Sequence, residues 1–157
     1  MVQVLDVPAL ARSWETRLIR DGFPVGPVSK IRLSTRMTRS LGTTRRCVSG
    51  PEGPVYVLSF SMALCEMPAA YVDVTIVHEF IHTFPECMNH GRLFREWGRQ
   101  LQERYSLCCP ISRISTQEMT EAFRSTAFIT GKKQKQKKKR KKRRSRLRHF
   151  LFFGRLL

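Results

Sequence analysis

The stretch His78-Glu79-Phe80-Ile81-His82-Thr83-Phe84-Pro85-Glu86-Cys87-Met88-Asn89-His90-Gly91 decides how this chain is read. Upstream of it, from Pro68, Tyr71, Val74, Val77 and Ile81 recur at three- and four-residue intervals. That spacing predicts a helix that stops near Pro85. His78 and His82 are then four residues apart, so they share one helical face about one turn, or roughly 6 Å, apart. Two imidazoles so placed can reach one Zn²⁺ at about 2.0 to 2.1 Å. Glu79 lies beside such a metal and not on it, where a carboxylate can take a proton from water and return it to a leaving amine.

A third ligand is what an open catalytic site needs, and the chain provides one. Of its four histidines, His78, His82 and His90 lie within one short segment. Pro85 breaks the helix after His82, which lets the chain turn back and present Asn89-His90-Gly91. Three protein ligands leave a fourth position for water or substrate. Two other readings of the same residues stand beside this one: incidental histidines on a helix, and a closed structural site in which Cys87 is the fourth ligand.

Outward from this segment, Asp6 caps a predicted helix that opens at Val7-Pro8, carries Leu10, Trp14 and Leu18, and stops at Asp21-Gly22. Ser29 to Ser34 alternates at period two, and Val55 to Phe60 is rich in strand formers, so at least two strands separate the helices. A helix from about Arg92 places Leu93, Trp97, Leu101 and Tyr105 on one stripe, with the preceding helix as its partner. Ser115 followed by Glu118 is a capping-box pattern, and Met119, Ala122 and Phe123 suggest a last short helix.

The net charge of +17 is distributed unevenly. All 12 acids lie before Gly131, against 15 Lys or Arg, while residues 132–157 hold 14 Lys or Arg and no acid. This predicts a domain over residues 1–130 and a disordered polybasic tail over 131–157. In the tail, Lys137, Lys138, Lys139, Arg140, Lys141, Lys142, Arg143 and Arg144 can neutralise phosphates of DNA or RNA without reading sequence. A membrane surface is a second destination for such a tail, because Phe150 to Phe153 follow it. The five scattered cysteines, the lack of an apolar leader and the lack of a long apolar run point to a reducing compartment, cytoplasmic or nuclear.

The segment from His78 to Gly91, followed by Phe94, resembles the active-site segment of SprT-like (spartan-type) metallopeptidases, with Cys87, Asn89, His90 and Gly91 matching the "CxNHG" element. A weaker likeness extends from Ile31 to about Tyr105, through Arg39-Ser40-Leu41-Gly42. The resemblance implies a compact, zincin-like α+β fold with a small sheet and the metal between the second and third helices. It also implies zinc held by His78, His82 and His90, Glu79 as general base, and hydrolysis of proteins attached to nucleic acid. The chain departs from many such proteins in having no cysteine pairs for a following zinc ribbon. It departs from metzincins in having Pro85 and Met88 where they place a glycine and a histidine. The expectation is therefore a zinc metalloendopeptidase; the alternative is a catalytically silent nucleic-acid-binding protein with a structural zinc site.

Overall fold

Asp6 accepts a hydrogen bond from the Ala9 amide at 3.1 Å, satisfying a donor left free at the start of helix α1, Val7–Arg20. The helix ends where Gly22 takes a φ of 84°, and the Gly22 and Phe23 amides turn back to the Ile19 and Leu18 carbonyls at 3.0 Å each. Val7, Ala11, Trp14 and Leu18 form its buried stripe. The computed structural model describes residues 5–37, 39–48 and 53–111. The predicted helix after Ser115 and the polybasic tail lie outside the described residues.

Three strands follow: β1, Val28–Ser34; β2, Gly42–Val48; and β3, Pro54–Ser61. They form a mixed sheet in the order β1-β3-β2, with β1 parallel and β2 antiparallel to the central β3. A short 3-10 turn, Met62–Glu66, leads through Pro68 into helix α2, Ala69–Ile81, and helix α3 spans Arg92–Tyr105. The chain is thus a small α+β domain.

Helix α2 is the centre of the core. Val72, Val74, Ile76, Val77, Phe80 and Ile81 are all fully buried, so it is apolar on nearly every side and not merely along one stripe. Leu58 and Phe60 of β3 are buried on the sheet face that carries the core. Each such side chain contributes about 1.5 to 3 kcal/mol by leaving water. The Trp14 indole N–H donates to Asp73 Oδ1 at 2.6 Å and ties α1 to α2. At the other end, Tyr105 of α3 donates to Asp21 Oδ2 at 2.6 Å, and the Arg17 guanidinium lies 4.9 and 4.3 Å from the Trp14 and Tyr105 ring centres.

In α3 the buried residues are Phe94, Gly98 and Leu101, whereas Leu93 is 38 % exposed. The stripe expected from Leu93 is therefore rotated by one residue at its start. The cause lies in the site, where Phe94 packs beneath the histidines.

Candidate metal centre

His78 lies in the last turn of α2 and His82 caps that helix. The Thr83 and Phe84 amides then bond back to the Phe80 and Ile81 carbonyls, at 2.9 Å each, and the Thr83 hydroxyl donates to the Phe80 carbonyl at 2.7 Å. Pro85 has no amide with which to extend this ladder. Glu86 takes a left-handed φ of 61°, the Cys87 amide reaches back to the Phe84 carbonyl at 3.1 Å, and the chain turns toward α2. This brings His90 over the other two histidines, with ring centres 5.0 Å from His78 and 4.8 Å from His82.

The Nε2 atoms converge. That of His78 lies 3.3 Å from His82 Nε2 and 3.1 Å from His90 Nε2, and all three ligand atoms fall within 4.8 Å of one another. Two nitrogens bound tetrahedrally at about 2.0 to 2.1 Å from a zinc ion sit about 3.3 Å apart, so the two edges that meet at His78 fit such a centre.

The other ring nitrogens explain why. His78 Nδ1 lies 2.8 Å from the Ile111 carbonyl oxygen, and His82 Nδ1 lies 2.9 Å from that of Cys87. A carbonyl accepts only, so in both rings the proton is on Nδ1 and Nε2 carries a lone pair. Burial holds the neutral form in place: it pushes the His78 pKa down to about 4 and that of His82 down as well. The short Nε2···Nε2 approach of His78 and His82 is then a meeting of two lone pairs. It is unfavourable unless a cation lies between them. Phe94 supplies the floor, with its ring centre 4.6 to 4.9 Å from all three imidazoles.

Glu79 faces a different neighbour. Its side chain, 4 % exposed, lies against β2, where the Thr44 hydroxyl is 2.7 Å from Oε2 and 2.9 Å from the Glu79 carbonyl oxygen. Gly42 completes the cradle. A Cβ there would fall 2.5 Å from Glu79 Oε1 and 2.6 Å from its Cγ. Desolvation pushes the Glu79 pKa up to about 7, against the opposing pull of the Thr44 hydrogen bond. A carboxyl poised near neutrality is suited to proton transfer in either direction.

The residues singled out in the sequence thus divide into three sets. His78, His82 and His90 form one cluster, which can hold a metal ion. Glu79 occupies the sheet side of the same helix. Lys137 to Arg144 lie outside the described residues. The Cys87 thiol is not among the converging ligand atoms; it is the Cys87 carbonyl that serves the site. Sequence reasoning missed Gly42, Thr44 and the two carbonyl acceptors. A carbonyl leaves no mark in the sequence, and β2 was not recognised as a strand.

Beside the centre, Tyr56, Phe84, Pro85 and Met88 line a groove of about 650 Å³ that also includes Arg46 and Asn89. Among the described residues no helix is long and apolar enough to cross a membrane. No protein-family model matches this chain, and no curated protein or solved structure gives a significant match.

Proposed function

We propose that this chain is a zinc-dependent metallopeptidase of SprT-like type, with a zincin-like fold, acting on proteins associated with nucleic acid. The observation that carries the reading is the pairing of two features at the end of one helix and the loop that follows it. Three imidazoles bring Nε2 toward a common point, two of them oriented by carbonyls, and a buried carboxyl follows the first of these histidines by one residue. Zinc suits this all-nitrogen donor set, and when bound it supplies Lewis acidity and favours the ionised form of nearby acids.

In this reading Glu79 accepts the proton of the attacking water at a carboxylate oxygen and delivers it to the leaving nitrogen. Thr44 positions it by holding Oε2, and Gly42 leaves room for it by having no side chain. Phe94 excludes water from below the imidazoles and fixes their tilt. The groove beside the loop that carries His90 receives a side chain of the substrate, and the polybasic tail holds the enzyme on nucleic acid.

A purely structural zinc site would be closed by a fourth protein ligand. Among the described residues the cluster has three, and the His90 ligand is exposed. The deciding experiment is Glu79→Gln, assayed on a nucleic-acid-bound protein with metal content measured alongside. Cleavage should fall by about 100-fold or more while zinc and fold are kept. Equal inertness of wild type and variant, both fully loaded with zinc, would favour the silent binding protein.

A further inference from the structure

The two faces of the sheet differ in what covers them. Leu58 and Phe60 of β3 are fully buried, whereas Val57, pointing the other way, is only half-buried. The register puts Lys30 of β1 and Arg45 of β2 on either side of Val57, and Arg32 and Thr43 on either side of Ser59. Lys30, Arg32, Thr43 and Arg45 are all exposed. Among the described residues, then, the core packs on one face, while on the other the outer-strand side chains stay exposed and only the small Ser59 and Ser61 of the central strand are buried, Ser59 beneath Arg32.

The charged side chains of the three strands, Lys30, Arg32, Arg45 and Arg46, are all cations. The ion pairs among the described residues, Arg12–Glu15, Arg20–Asp21, Arg99–Glu103 and Arg104–Asp21, all belong to α1 and α3 or their ends. None involves Lys30, Arg32 or Arg45. Arg32 Nε instead donates to the Ser59 hydroxyl at 2.9 Å, which braces the guanidinium across the sheet. Two strand spacings put the Lys30 and Arg45 backbones about 10 Å apart, and two residues of rise put Lys30 and Arg32 about 7 Å apart. The result is an array of cations on neighbouring strands, one of them braced, with short side chains between them.

We propose that this open sheet face binds the phosphate backbone of nucleic acid, as a second contact surface built into the folded domain and separate from the tail. The charge calls for a polyanion, and its setting favours nucleic acid over an anionic membrane. Among the described residues the large exposed apolar side chains, Ile19, Met88 and Leu93, are all off the sheet, so none of them on this face can insert among acyl chains. No aromatic side chain lies on it either, because β3 contributes Val55, Val57 and Ser59. Bases therefore have nothing to stack on, and binding should be independent of sequence.

The test uses the full chain with its tail and measures affinity for a labelled oligonucleotide as a function of salt. Neutralising three phosphates adds about 2 to 3 to the slope of log K against log salt, so Lys30→Ala/Arg32→Ala/Arg45→Ala should reduce that slope by this amount, equally for oligonucleotides of different sequence. The double variant Lys30→Ala/Arg45→Ala leaves the Arg32–Ser59 bond intact and should lower it by about 1 to 2. A control on the helical side, Arg12→Ala/Arg20→Ala/Arg99→Ala, should leave the slope unchanged. An unchanged slope in both sheet variants, or an equal drop in the control, would overturn the proposal. So would phosphatidylserine vesicles that bind the wild type as tightly as the oligonucleotide does and lose binding in the sheet variants.

Discussion

Gly42→Ala is the smallest change that tests the contact between the sheet and Glu79. The backbone tolerates it, because the positive-φ glycines among the described residues are Gly22 and Gly53 and not Gly42. Restricting the unfolded chain would even favour alanine by about 0.4 to 1 kcal/mol. Against that, the new methyl carbon would stand 2.5 to 2.8 Å from Oε1, Cγ and Cδ of Glu79. Glu79 cannot simply swing aside, since it is buried and Oε2 is held by Thr44. Overpacking of this kind costs about 1 to 3 kcal/mol, and the midpoints of the two ranges leave a net loss of about 1.3 kcal/mol. Gly98→Ala is the matched contrast. Its Cβ would meet Ile111 at an ordinary 3.7 Å, and in a helix interior alanine should gain about 0.5 to 1 kcal/mol. Urea unfolding of the two variants should therefore shift in opposite directions. Zinc content should be unchanged in Gly42→Ala while cleavage falls, because the carboxylate moves and the imidazoles do not. If Gly42→Ala is as stable as wild type, the close packing of β2 against Glu79 is refuted.

Thr44→Val removes the hydrogen bond that lowers the Glu79 pKa, so that pKa should rise and the acid limb of the pH profile for kcat/KM should move to higher pH. An unmoved limb would separate Thr44 from the general base. Asp21 is held below its ordinary value of 3.8, chiefly by the Tyr105 hydroxyl, so the stability it contributes is present above the unfolded pKa and is lost as pH falls through the lower folded one. Tyr105→Phe should accordingly unfold at lower urea than wild type near neutrality, and the gap should close in acid. Deleting residues 132–157 should weaken nucleic-acid binding steeply without changing zinc content, as measured by titration at several salt concentrations.

The histidine cluster and all three helices of the described region are legible because their signals are periodic and involve strong markers: the four-residue spacing of His78 and His82, the stripe around Trp14, and the breaks at Gly22 and Pro85. Strand β2 is not. Its sequence, Gly42-Thr43-Thr44-Arg45-Arg46-Cys47-Val48, has no apolar alternation, because it is an edge strand whose inward positions Gly42 and Thr44 meet a carboxylate instead of the core. The register of α3 is obscured for a related reason. Gly98 sits on the buried stripe with no side chain to announce it, so periodicity aligns Leu93 with Trp97 and Leu101 in place of Phe94. Both misses lie where the chain serves the site, and there local pattern yields to local chemistry.

The carbonyl that orients His78 has a bearing on which part of the chain completes the cluster. His82 takes its acceptor from Cys87, five positions on, so that ring can be set as soon as the loop after α2 has turned. His78 must wait for Ile111, 33 positions downstream and beyond the end of α3. A chain that ends at Tyr105 already has all three histidines, yet one imidazole still lacks the partner that fixes its tautomer. The segment from Ser106 to Ile111, which adds no histidine, is therefore the clasp that completes the alignment of the cluster.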